Sequence, residues 1–302
     1  MGSNLDLSGL SSISKLTLWG VLADNATLPW NSMTHIDLSQ VQTNMAFGLL
    51  FSCPNLVQFR FENAIHSFEE FEPLDVENPV ILPHLKVLCW ENVGRECDTL
   101  LLLFLRAPAL ELFSWVDGDD IEEHEDHLLA AFCSRLPASL EAFTMISESP
   151  NGFPLIALPP DTRVKEIVCE HRTSNFTPAI LASILAPLKP RKGPEGQPQL
   201  PFPRLDSLVI KTWSKGGRDI QLPMQTSMEL VITMAARAAA LGRIFTLDVE
   251  GLVLNWNSLL FRGPLYGGEN LILRIGKDKI TPTWYQALVP QLAGLFSLNE
   301  LD

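Results

Sequence analysis

The sequence has no surplus of positive charge: 22 Lys plus Arg stand against 35 Asp plus Glu in 302 residues, a formal net charge of −13. Binding to a phosphate backbone draws on clustered Lys and Arg, so this balance argues against nucleic acid as a partner. Long hydrophobic runs are lacking too. The most apolar windows, residues 100–105 and 230–241, are stopped by Arg106 and interrupted by Arg237 respectively, short of the roughly 20 apolar residues that cross a bilayer. A membrane partner is not expected. Cysteine is scarce. The five residues Cys53, Cys89, Cys97, Cys133 and Cys169 form no C-x-x-C pair and are odd in number, against a disulfide framework or a zinc knuckle. Residues 1–10 contain neither the basic nor the apolar stretch of a secretory leader. The expected localisation is intracellular, cytoplasmic and/or nuclear.

Signatures of catalysis are missing in the same way. There is no G-x-S-x-G to hold a nucleophile on a strained turn. The pairs Gly216-Gly217 and Gly267-Gly268 precede neither G-K-[ST] nor a dinucleotide-binding spacing. The expectation is a non-enzyme with no cofactor.

What is present is a repeated strand pattern, L-x-x-L-x-L, with large apolar residues at its first, fourth and sixth positions. It occurs as Ile13, Leu16, Leu18; Met33, Ile36, Leu38; Leu56, Phe59, Phe61; Leu85, Leu88, Trp90; Leu110, Phe113, Trp115; Leu140, Phe143, Met145; Val164, Ile167, Cys169; Leu205, Leu208, Ile210; and Ile244, Leu247, Val249. The mean spacing is about 29 residues, the long end of leucine-rich repeats. Proline supplies an independent signal. Pro54, Pro83, Pro108 and Pro203 stand two residues before a first position, Pro137 three before, and Pro29 and Pro160 four before. Each makes a sharp stop ahead of a strand.

Between strands, residues 43–51, 97–105, 121–136, 178–188 and 224–241 read as helices. Strand, helix and strand in alternation predict an α/β fold: one leucine-rich-repeat-like solenoid over residues 1–302, a horseshoe with a parallel sheet on its concave face and helices on its convex face. Trp90 and Trp115 fall at sixth positions and are expected in the core. The proline-dense stretch 187–203 reads as a loop insertion. Leu271, Leu273 and Ile275 suggest a further strand, and 277–302 a C-terminal capping helix. The asparagine that commonly follows such strands is replaced by Val21, Val41, Ala64 and Val93, with Asn63 and Asn92 one place earlier.

Five phrases carry a resemblance. They are Leu28-Pro29-Trp30, Met33-Thr34-His35-Ile36-Asp37-Leu38, Cys53-Pro54-Asn55-Leu56-Val57, Leu82-Pro83-His84-Leu85-Lys86-Val87-Leu88 and Ala107-Pro108-Ala109-Leu110-Glu111. In this order, across roughly residues 10–215, the chain resembles the leucine-rich-repeat region of fungal F-box proteins. The resemblance implies a substrate-recognition domain of an F-box-type ubiquitin ligase receptor. The F-box itself, which docks on a Skp-type adaptor, is not found in this chain, so an adaptor is expected only with an F-box outside it. The alternative is a repeat scaffold unrelated to ubiquitin.

Two constellations remain. The run Asp117, Asp119, Asp120, Glu122, Glu123, His124, Glu125, Asp126, His127 reads as acids gathered where a helix N-terminus favours negative charge. Its histidines are three apart rather than four, with no third imidazole or thiolate nearby, so no metal is expected. The second, third and fifth positions of each strand should line the concave face. They mix both charge signs with apolar groups, as a protein-contacting surface does. The candidate partner-binding residues are His35, Asp37, Gln58, Arg60, Lys86 and Glu111, receiving a protein substrate or partner.

Overall fold

A computed structural model describes residues 4–9, 12–21, 25–27, 29–65, 78–92, 96–117, 126–147, 158–173, 176–189, 191–192, 198–213, 219–254, 270–275 and 278–280. The chain is α/β and divides into two compact units, residues 1–149 with 154–164, and residues 150–153 with 165–302.

In the first unit, β1 (Lys15–Trp19), β2 (His35–Ser39), β3 (Gln58–Glu62), β4 (Val87–Asn92), β5 (Leu112–Asp117) and β6 (Ala142–Ser147) pair in sequence order, each neighbour parallel. Helices α1 (Thr43–Ser52), α2 (Glu96–Phe104) and α3 (Asp126–Cys133) lie in the connections after β2, β4 and β5. Alternate strand residues enter the core: Ile36, Leu38, Phe59, Phe61, Leu88, Trp90, Phe113, Trp115, Phe143 and Met145 are all buried. Their rings interlock. Trp90 lies 6.2 Å from Phe59 and 5.0 Å from Phe61, and Phe113 lies 5.8 Å from Phe143 and 5.2 Å from Phe132 of α3. Each such side chain contributes about 1.5–3 kcal/mol on burial. The indole of Trp90 donates to the carboxylate of Asp98 on α2, which ties the helix layer to this face of the sheet. β1 is the edge strand; its Leu16 and Leu18 are only half-buried, and among the described residues no strand pairs with its outer side.

The prolines act through a specific turn. The N–H groups of Leu56, Leu85 and Leu110 donate to the carbonyls of Cys53, Leu82 and Ala107, three residues earlier. Pro54, Pro83 and Pro108 thus occupy the second position of a β-turn, where their fixed φ is favourable, and the first apolar residue of the repeat closes the turn. Leu205 makes the same bond to Phe202 around Pro203 in the second unit. The other end of the strand is also patterned. Gly20, Gln40 and Asn63, each directly after its strand, have φ of 67°, 55° and 54°. Asn63 therefore supplies a left-handed bend, which asparagine tolerates better than most residues.

In the second unit, β7 (Glu166–His171), β8 (Ser207–Thr212), β9 (Phe245–Glu250) and β10 (Leu271–Ile275) are parallel and in sequence order, and β11 (Asp278–Ile280) returns antiparallel to β10. Their buried residues include Ile167, Cys169, Leu208, Ile210, Leu247, Val249 and Leu273. Helix α4 (Pro178–Leu185) follows β7; the Thr177 hydroxyl accepts from the N–H of Ile180 at 3.3 Å, and Pro178 starts the helix. Helix α5 (Met224–Leu241) ends at Gly242, whose φ of 61° lets its N–H cap the carbonyls of Ala238 and Ala239.

One detail differs from expectation. Ile244 is 60% exposed while Phe245 is buried; α5 runs almost directly into β9 without the proline turn, so the inward alternation starts one residue later. Of the stretch 187–203, residues 190 and 193–197 lie outside the described residues. Ala186–Leu188 forms a 3-10 turn, Arg191–Lys192 pairs antiparallel with Pro198–Gln199, and Leu188 and Phe202 are buried at its base. Arg237, fully buried on α5, donates to the carbonyls of Leu188 at 3.2 Å, Pro201 at 2.8 Å and Phe202. Residues 278–280 form strand β11, and the capping helix expected within 277–302 falls on residues 281–302, which lie outside the described residues.

Candidate partner-docking face

Because strand side chains alternate, the residues between the buried ones of β1–β3 emerge on the face opposite the helices. Register places them in rows. His35 stands opposite Gln58, Asp37 between Thr17 and Arg60, and Ser39 between Trp19 and Glu62. Gln58 donates from Nε2 to Asp37 Oδ1 at 2.9 Å, and Arg60 Nε lies 3.8 Å from the same oxygen. The His35 ring sits 2.9 Å from the Thr34 hydroxyl, which itself donates to the Ser14 carbonyl. These four candidates form one patch. Lys86 and Glu111 form a second feature: they precede β4 and β5 and make their own ion pair at 2.8 Å, each about half-exposed. Pairs this exposed contribute little to stability, about 0–1 kcal/mol, which leaves their charges available to a partner.

The face is not uniform. On β4–β6 the corresponding residues Cys89, Ser114, Val116 and Ile146 are buried, where the sequence placed Cys89 and Ser114 on an accessible surface. The accessible groove, about 390 Å3, is lined by Thr17, Leu18, Trp19, Asp37, Leu38, Ser39, Gln58, Arg60 and Glu62. Trp19, 70% exposed, is its largest apolar group. The sequence pattern missed Trp19, Ser39 and Glu62 because it ended at the sixth position, the last buried one. Extending the alternation one residue further would have found them.

Cys89, the register neighbour of Arg60, is no ready nucleophile. Burial pushes the Cys89 thiol up to about 11, outweighing the nearby Arg60 cation, which pulls it down; at neutral pH it is a thiol and a poor nucleophile. Of the acidic run, residues 118–125 lie outside the described residues, and His127 is exposed at the start of α3. Among the described residues, no three His, Cys, Asp or Glu groups are placed to hold a metal ion, and no helix is long and apolar enough to cross a membrane. Comparison with protein-family models, with curated proteins and with solved structures finds no significant match to this chain.

Proposed function

We propose that the chain is a non-catalytic, leucine-rich-repeat-like protein-binding domain, and that it serves as the substrate-recognition part of an F-box-type ubiquitin ligase receptor. The observation that carries the binding reading is the groove across β1–β3, where an exposed indole adjoins side chains of both charge signs on a sheet face opposite the helix layer. Aromatic anchors ringed by polar groups are the usual composition of a protein-contacting surface. The ubiquitin part rests on the resemblance around residues 28–38, 53–57, 82–88 and 107–111. The horseshoe form of the repeats belongs to this proposal, supported by parallel strands in sequence order with helices between them.

The test begins with partners captured from a cell extract and identified by mass spectrometry. Replacing Arg60→Glu together with Lys86→Glu is expected to weaken capture, because reversing surface charges slows association and sets like charges against an acidic partner surface. Stability should move by less than about 1 kcal/mol, since both side chains are roughly half-exposed. Partners that become ubiquitinated when the chain is joined to an F-box support the receptor reading. Capture that is unaffected by the pair, with no partner ubiquitinated, points to a scaffold that binds elsewhere.

A further inference from the structure

Three residues at the ends of β1, β2 and β3 make a slot within the groove. Trp19, Ser39 and Glu62 stand side by side in register on parallel strands. Neighbouring strands lie about 4.8 Å apart, so Trp19 and Glu62 flank the small Ser39 at a backbone separation of roughly 10 Å. That separation leaves room for one flat group between the two side chains above Ser39. The three walls are chemically distinct. Trp19 is 70% exposed and lines the groove. The Ser39 hydroxyl accepts from Asn63 Nδ2 at 3.2 Å, and its second lone pair stays available as an acceptor. Glu62 is exposed, and among the described residues no cation pairs with it.

The row below behaves differently. Asp37 is engaged by Gln58 and faces Arg60, so the charges of that row largely cancel. The unmatched groups are the aromatic face of Trp19 and the carboxylate of Glu62. An aromatic ring and an anion at opposite walls complement a planar cation: the ring quadrupole attracts positive charge, and a carboxylate takes two parallel N–H bonds from a guanidinium. An ammonium is a compact, strongly hydrated charge that neither stacks nor forks.

We propose that the slot formed by Trp19, Ser39 and Glu62 receives an arginine side chain of the docked protein partner. This rests on the docking-face reading above and names the partner chemistry at one point of it.

The probe is the capped tripeptide acetyl-Gly-Arg-Gly-amide, titrated into the 15N-labelled protein, with the lysine peptide and the uncharged citrulline peptide alongside. The indole N–H signal of Trp19 is identified by its loss in Trp19→Phe. The expected result is a saturable shift of that signal with the arginine peptide, a weaker response to lysine and none to citrulline. Glu62→Gln should raise the arginine dissociation constant by about fivefold or more, as a neutral acceptor replaces a charged one, whereas Glu166→Gln should leave it unchanged. An unmoved Trp19 signal, an equal response to citrulline, or equal weakening by Glu166→Gln overturns the slot. Failure here and failure of the wider reading are distinguishable. If protein capture still responds to Arg60→Glu with Lys86→Glu, the face stands without the slot; if neither responds, both are lost.

Discussion

Asp248 on β9 carries a charge that the fold does not favour. Burial, then the neighbouring Glu250 carboxylate, raise its pKa above the ordinary aspartate value, against the pull of Arg274 and Lys211. One of its oxygens is buried with no hydrogen-bond partner, and Arg274 approaches the other only to 4.0 Å. The folded protein therefore holds this proton to higher pH than the unfolded chain does. Stability from this group is complete below the ordinary carboxyl range and falls as pH rises through the window up to the folded value. Asp248→Asn, which cannot ionise, is expected to melt higher than the parent at pH 7 and level with it at pH 3, a comparison that melting curves at the two pH values provide. Arg237 is the opposite case. Burial lowers its pKa to about 10, so the guanidinium stays charged at neutral pH and its N–H groups serve three backbone carbonyls at the base of the 187–203 insertion. Arg237→Met keeps the volume and removes the donors. The expected cost is about 3 kcal/mol in urea unfolding, with faster tryptic cleavage after Lys192; a cost near zero would show that the carbonyls find other donors.

Among the elements, β4 is the best test of the repeat core. Leu88 is fully buried between Phe59 and Phe113 in register, beside Trp90 on the same strand. Leu88→Ala removes packed atoms from a sheet whose neighbours are held by their own ladders and cannot collapse freely, so a loss of about 2–5 kcal/mol is expected from denaturant midpoints. The sequence made this element readable because two signals coincided, the inward residues Leu85, Leu88 and Trp90 and the turn proline Pro83. Where one signal was missing the reading slipped. β9 lacks the proline turn, and there the pattern points Ile244 inward where the fold buries Phe245. Asn63 stands out in the sequence only as one place earlier than the usual asparagine, because its left-handed φ depends on backbone geometry that residue type only suggests. The accessible face is half-legible for a related reason: alternation along β2 and β3 sets His35, Asp37, Gln58 and Arg60 between buried residues, but nothing in the pattern separates exposed Arg60 from buried Cys89, its register neighbour on β4.

At the scale of the molecule, composition and periodicity carried the α/β class, because repeated burial of alternate residues is a one-dimensional signal. Arg237 shows what that signal omits. In the sequence it is a charge interrupting an apolar helix; its role comes from carbonyls at residues 188, 201 and 202, brought to it only by the fold. Pairing in sequence order within each unit also has a consequence in time. Each of these strands docks on a neighbour from the preceding repeat, so its binding edge exists before it is made. With repeats of about 29 residues and synthesis at roughly 5–20 residues per second, a new strand leaves the ribosome about every 1.5–6 s, long compared with the microseconds of local chain closure. Within each unit the chain is thus suited to fold at the pace at which it is made, one repeat behind its own synthesis.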